Sequence, residues 1–306
     1  MNTKIIITSG KKYIDIDAYS SIIAYKILLN SLGYANVYAI SSAKENDSIC
    51  PLIKELGFKF DNVTINKEDN FIILDVSNPN FFDNIVHHNN IIEIIDHHSG
   101  YEEFWKTKKN IKVSIQKIGS ICTLIYEKIV ENKKENILSK NLCKLLIAGI
   151  IDNTINLQTN NTTNRDIEAY NNLIKIGNID KNWYVNYFNS CYKEIDTKLE
   201  EMIINDTKEE FICNLLPETF GQIIVPNINI INSNIQKIYS TYLQKKNWIL
   251  NVISLKDKKS FIYFYGIDTK KNLEKIFKKN AKNNYIELNA IILRKEIINI
   301  AKASDN

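Results

Sequence analysis

Nothing in this chain is long and apolar enough to read as a membrane span, and nothing at its beginning reads as a secretory leader. The first residues, MNTKIIIT, run straight into a strand-like segment, without an apolar stretch of signal length or a small-residue cleavage pattern. The five cysteines, Cys50, Cys122, Cys143, Cys191 and Cys213, form no CxxC pair. Their odd number and wide spacing argue for reduced, mostly buried thiols in a cytosol. No internal repeat is visible, and no low-complexity tract beyond an enrichment in Asn and Lys. Asn, Ile and Lys are abundant at the expense of Ala, Arg and Gly, which reads as the base-composition bias of an AT-rich genome, not as function. Histidine is scarce as well. There are four in 306 residues, so the position of each one carries information.

What is present is ordinary globular material. The chain is 44% hydrophobic and 24% charged, so a packed core is expected. Its 306 residues suffice for one large or two ordinary domains. The net charge of +4 is mild and does not by itself call for a nucleic-acid partner, although a basic cleft would suit a polyanionic substrate.

Apolar strands and amphipathic helices alternate over the first ~185 residues. Strands are predicted at 4–8, 36–41, 71–76, 91–96 and 111–116, and helices at 18–32, 48–56, 120–132, 139–150 and 165–177. Such alternation with short connections predicts an α/β fold built on a doubly wound, mostly parallel sheet. Residues 182–206 read as helical and lead into a second, smaller mixed-sheet α/β domain, with strands near 210–216, 221–230, 248–255, 260–265 and 287–293. The expected domains are 1–188 and 189–306.

The most informative stretch is IIEIIDHHSG at 91–100, an apolar run that ends in Asp96-His97-His98. KIIITSGKKYIDID leads to Asp15 and Asp17, and FIILDVSN leads to Asp75. Three strands would thus deliver acid or imidazole at their carboxyl ends, the edge where open α/β sheets bind ligands. Carboxylates gathered in one crevice repel one another and stay partly protonated unless a cation neutralises them. A divalent metal site built for phosphate chemistry is the economical reading. Asp15 and Asp17 also stand just before a helical run, where acidic residues serve as simple caps. In an extended segment, residues two apart point the same way, so both would reach one metal cluster. Asp75 lies before the turn-rich VSNPN, and a buried strand rarely ends in Asp without a partner. His87-His88, in an Asn-rich stretch, reads as exposed loop, and Arg294 with Lys295 reads alternatively as ordinary surface charge.

On these motifs the chain resembles the DHH phosphoesterase superfamily, and most nearly its manganese-dependent (family II) inorganic pyrophosphatases and exopolyphosphatases. The likeness takes in Asp15 and Asp17, Asp75, Asp96-His97-His98, GSICTLIYEKI from Gly119, AGIIDNTINLQTNNTTNRD from Ala148 and LRKEI from Leu293. It implies a DHH domain followed by a DHHA2-like substrate-binding domain, and one or two Mn²⁺ or Mg²⁺ ions held by Asp15, Asp17, Asp75 and His97. It further implies that Asp96 supports the site and that His98, Arg294 and Lys295 contact the phosphoryl group. The implied reaction is cleavage of a phosphoanhydride, pyrophosphate or short polyphosphate, by metal-activated water. The protein would be cytoplasmic, act on a small phosphate substrate away from membranes, and could form a homodimer.

The pattern is broken in places. Aligned on the Asp15–Asp17 motif, a metal-binding His of the family falls on Lys11, which cannot ligate while protonated. Lys11 can instead replace part of a cation's electrostatic role and so join Asp15 and His98 among the catalytic candidates. A metal-binding Asp of the family falls on Asn153, with Asp152 adjacent as a substitute ligand. The family's basic C-terminal motif is matched by Arg294 and Lys295 but not by Leu293, Glu296 or Ile297, and one of its lysines falls near Phe220. Two alternatives follow. One is a weakened or inactive binding protein on this fold. The other is a phosphodiesterase acting on short oligonucleotides or cyclic dinucleotides, although the glycine-rich C-terminal domain usual in such proteins is not found.

Overall fold

The computed structural model of the protein describes residues 3–242 and 244–305. The chain divides into two compact units, Met1–Leu157 with Asn161–Cys191, and Gln158–Asn160 with Tyr192–Asn306.

The first unit opens with β1 (Ile5–Thr8), β2 (Tyr13–Ile14) and α1 (Ile16–Ser31), then β3 (Val37–Ala39), β4 (Lys44–Glu45) and the short α2 (Pro51–Lys54). It continues through β5 (Asn70–Leu74), β6 (Ile91–Asp96), α3 (Glu102–Lys106), β7 (Lys112–Ile115), α4 (Ile121–Glu131), α5 (Lys140–Asn153), α6 (Asn164–Ile176) and α7 (Trp183–Cys191). Five strands form one sheet in the order β3-β1-β5-β6-β7, every neighbouring pair parallel. The expected mostly parallel α/β sheet is thus present. β5 and β6 are nearly continuous runs of Ile, Leu and Phe because strands of such a sheet are buried on both faces. From β1 the chain crosses to β3 on one side and then to β5 on the other. The order therefore reverses between β1 and β5, and a crevice opens at the carboxyl ends of those strands.

α1 is buried over most of its length, Asp17, Ser20 and Ser21 included, rather than laid on the surface, and it packs against α4 and α5. It begins two residues earlier than its apolar pattern predicts because Asp15 caps it, accepting a hydrogen bond from Ala18 N at 3.0 Å. The Asp15–Asp17 segment is therefore not extended, as the spacing argument assumed. Asp15 is the cap and Asp17 already lies in the first helical turn.

The second unit holds α8 (Ile195–Asn205), β8 (Thr207–Glu209), β9 (Thr219–Val225), α9 (Asn229–Ser233), α10 (Ile235–Thr241), β10 (Trp248–Ser254), β11 (Lys259–Tyr265), α11 (Ile267–Phe277), β12 (Tyr285–Leu288) and α12 (Arg294–Asp305). Its sheet runs β12-β11-β10-β9-β8 and is mixed, with only β9 and β10 parallel. No strand forms at 210–216. That segment is apolar because Cys213, Leu215 and Leu216 pack from a loop into the core. The strand expected to 230 ends at Val225, and the one expected to 293 ends at Leu288, after which Ile291 is buried from irregular chain. Among the described residues no helix is long and apolar enough to cross a membrane.

Phe71 is fully buried on β5 in the core of the first unit. Phe71→Ala should destabilise that unit by about 3–5 kcal/mol. A denaturant titration followed through the first unit's signals should show a lower midpoint, and an unchanged midpoint would contradict this placement.

Candidate metal centre

Asp75 is the residue after β5, in a left-handed backbone conformation with φ 64°. Only a few per cent of non-glycine residues adopt it, and Asp tolerates it better than most. Its amide still donates to Ile95 O at 2.9 Å, which ties this bend to the end of β6. On β6, Asp96 is fully buried and its Oδ1 gathers three donors: His97 N at 2.7 Å, His98 N at 3.0 Å and His98 Nδ1 at 2.8 Å. Burial opposes the charge on Asp96, but the His98 contacts hold its carboxyl below the usual range. Asp96 thereby fixes the direction of both histidines.

His97 Nδ1 lies 3.1 Å from the Ile118 carbonyl, which can only accept, so the proton sits on Nδ1 and Nε2 points the other way. Nε2 is 3.1 Å from Asp75 Oδ1 and 3.9 Å from Asp17 Oδ2. Both Nε2 and Asp75 Oδ1 are buried without a hydrogen-bond partner, so their approach is off the line a hydrogen bond requires. Burial pushes the His97 imidazole down, but the adjoining Asp75 carboxylate, with Asp17 behind it, outweighs burial and holds it up at about 10. Asp75, His97 and His98 each offer a ligand atom within 4.8 Å of the others. Without a cation, His97 and Asp75 face each other as imidazolium and carboxylate, and a divalent ion can take the place of the proton between them.

Asp17 is buried and fully engaged. Oδ1 accepts from Ser120 Oγ at 2.6 Å and Cys122 N at 3.0 Å, while Oδ2 accepts from Ile121 N at 3.0 Å and from the Asn153 amide. It therefore anchors the N-terminus of α4 and the end of α5. Burial and the Asp75 charge still raise its pKa. Burial, Asp75 and Asp17 raise Asp15 to about 8. Asp152 accepts from the Tyr187 hydroxyl at 2.8 Å, and burial raises it to about 7. Three carboxyls shifted upward in one region are the signature of crowded negative charge.

The Lys11 side chain is exposed on the β1–β2 loop, whose backbone is held by Phe81 O. Arg294 belongs to the second unit, where its guanidinium donates to Asp206 Oδ1 at 2.6 Å, to the Asp206 carbonyl and to Phe220 O at 3.3 Å. Lys295 is exposed in the first turn of α12. Phe220 and Ile297 are fully buried core residues, which accounts for their apolar character. Sequence reasoning missed Ser120, Cys122 and Gly149. Ser120 carried a signal, because it stands at a predicted helix start. Gly149 carried none, since its role is close approach between helices.

The site thus defines a parallel α/β unit with an acid–imidazole cluster at the edge where its strand order reverses. Residues 4–150 match the DHH family, N-terminal domain, and this segment is a DHH domain. The chain is 26% identical over 298 residues, 94% of each chain, to a protein of Lactobacillus helveticus named probable manganese-dependent inorganic pyrophosphatase. It is 24% identical over 297 residues, again 94% of each, to the protein of that name from Lactobacillus acidophilus. A crystal structure from Methanococcus jannaschii, provisionally assigned as a family II inorganic pyrophosphatase, aligns with TM-score 0.67 at 20% identity, covering 98% of this chain and 99% of that one. An exopolyphosphatase-related protein from Bacteroides fragilis aligns with TM-score 0.51 at 17% identity, covering 98% and 91%. The two-domain α/β fold is that of these proteins.

A Cβ on Gly149 would collide with Cys122 Sγ and lie 3.0 Å from Asp17 Oδ1. Gly149→Ala should therefore cost about 1–3 kcal/mol of stability by overpacking and disturb Asp17. Thermal melting should show a lower Tm, and an unchanged Tm would mean that α4 and α5 do not approach as described.

Proposed function

We propose that this chain is a divalent-metal-dependent phosphohydrolase that cleaves phosphoanhydride bonds, with inorganic pyrophosphate or short polyphosphate as substrate. The observation that carries the reading is the facing pair His97 Nε2 and Asp75 Oδ1, buried, 3.1 Å apart and without hydrogen-bond partners. The names of the relatives support manganese as the ion, and the oxygen-rich donor set also suits Mg²⁺.

Asp75 and His97 hold the ion, with Asp15 and Asp17 beside them. A divalent ion bound there would act as a Lewis acid on phosphoryl oxygens and make a water acidic enough to attack phosphorus near neutral pH. Asp96 sets the direction of His97 through its backbone amide and of His98 through its ring. His98, the more exposed of the two, is aimed to meet a phosphoryl oxygen. Lys11, Arg294 and Lys295 are assigned as cations for the phosphate charge, and Asp152 as a reserve ligand beside Asn153. A cytoplasmic setting and a homodimer belong to the same proposal. A second reading, phosphate binding without turnover, is favoured by Lys11 and Asn153, where a cation and a neutral amide stand in place of a neutral imidazole and an acid.

The test measures Mn²⁺ affinity by calorimetry and phosphate release from pyrophosphate for three forms of the protein. The parent should bind Mn²⁺ and release phosphate. Asp75→Asn should lose Mn²⁺ binding, and retained affinity would remove the metal centre. In Lys11→His/Asn153→Asp, a positive charge goes and a carboxylate replaces a donor to Asp17. Like charges then face each other, so the metal-free melting temperature should fall while Mn²⁺ affinity and hydrolysis both rise. A parent that binds Mn²⁺ but hydrolyses neither pyrophosphate nor polyphosphate would establish the second reading.

A further inference from the structure

Two thiols far apart in sequence meet in the first unit. Cys50 precedes α2 and is buried, while Cys191 ends α7 and is partly exposed. Cys50 Sγ lies 4.0 Å from the carbonyl of Tyr187, one turn before Cys191. Cys191 Sγ lies 3.9 Å from the carbonyl of Ser48, two residues before Cys50. Leu52 N donates to Ser190 Oγ at 3.1 Å, so the neighbours of the two cysteines are tied together as well. Each thiol thus faces the backbone of the segment that carries the other. Cys191 lowers the Cys50 thiol to about 6, and Cys50 in turn pushes the Cys191 thiol well up. A thiolate beside a protonated thiol is the arrangement that disulfide chemistry uses.

We propose that Cys50 and Cys191 form a reversible disulfide in response to hydrogen peroxide. The Cys50 sulfur attacks the peroxide O–O bond, giving a sulfenic acid on Cys50 and releasing water once the leaving hydroxide takes a proton. The Cys191 sulfur then attacks the Cys50 sulfur, an S–S bond forms, and the sulfenic oxygen leaves as a second water with the Cys191 proton. Overall, two thiols and one peroxide become one disulfide and two waters, and a dithiol such as dithiothreitol reverses the step.

The pair is wired to the cluster by hydrogen bonds. Ser48 Oγ accepts from Ile16 N at 2.8 Å, and Ile16 lies between Asp15 and Asp17. The Tyr187 hydroxyl lies 3.1 Å from Ser48 O and 2.8 Å from Asp152 Oδ1, and the next residue, Asn153, donates to Asp17. Bringing the sulfurs to a covalent length of about 2 Å pulls the 48–52 segment and α7 together, and both lead to the residues around Asp17. Oxidation would therefore loosen the metal centre. That consequence rests on the reading of Asp15, Asp17, Asp75 and His97 as a cation site, whereas the disulfide does not.

The experiment treats the full chain with hydrogen peroxide, alkylates the remaining thiols after denaturation and maps the peptides by mass spectrometry. Mn²⁺ titrations are run on the oxidised, reduced and dithiothreitol-rescued protein. We expect a Cys50–Cys191 cross-linked peptide that dithiothreitol removes, with Cys122, Cys143 and Cys213 alkylated. Cys50→Ser and Cys191→Ser should each abolish the cross-link. Mn²⁺ affinity should fall several-fold on oxidation, recover on reduction, and be insensitive to peroxide in Cys50→Ser. Absence of the cross-link, or oxidation of the other cysteines instead, overturns the proposal. A cross-link with unchanged Mn²⁺ affinity overturns the coupling. A reduced protein that binds no Mn²⁺ at all counts against the metal centre, while the peptide map still decides the disulfide.

Discussion

A buried carboxylate holds the first unit's helices at the sheet edge. Asp17 accepts from the Ser120 hydroxyl, the amides of Ile121 and Cys122, and the side chain of Asn153, so α1, the start of α4 and the end of α5 are fastened to one point. Removing a buried charge from water is costly unless its lone pairs are satisfied, and the N-terminus of α4 supplies unpaired amides for the purpose. Gly149 lets α5 come close enough to take part. The arrangement fixes a negative charge beside Asp75 and His97, and the remaining open donor atoms face inward.

From that constraint the rest of the site follows. Asp75 and Asp96 close adjacent parallel strands, and the hydrogen bond from Asp75 N to Ile95 O keeps the two strand ends in register. Asp96 spends its buried charge on orienting two histidines, and the Ile118 carbonyl chooses which nitrogen of His97 is free. The cluster is therefore rigid in its supports, and Asp75 Oδ1 and His97 Nε2 meet with no other partner, which is what a preorganised cation site requires.

The acid–imidazole half of the site was legible in the sequence because each member ends a strongly apolar run: FIIL before Asp75 and IIEII before Asp96. The parallel sheet was legible for the same reason. Asp15 and Asp17 were found for a wrong geometric reason. The run to Asp17 looked extended, but capping by Asp15 starts the helix at Ile16, and a helix turns residues two apart to different sides. The anchor role of Asp17, the clearance at Gly149 and the thiol pair Cys50–Cys191 depend on contacts between distant segments, which a local pattern cannot encode. The apolar loop at 210–216 misled in the opposite sense, since an apolar run packs a core as well from irregular chain as from a strand. Arg294 reads in sequence as a free cation, yet Asp206 and Phe220 O occupy much of its guanidinium.

The central claim is that Asp75 and His97 converge on a divalent ion. Crystals grown with Mn²⁺ and measured at the manganese absorption edge test it most directly. The account predicts an anomalous peak within bonding distance of both the Asp75 carboxylate and His97 Nε2, with His97 Nδ1 still on the Ile118 carbonyl. Manganese found elsewhere, with His97 Nε2 hydrogen-bonded to a protein group instead, would contradict it.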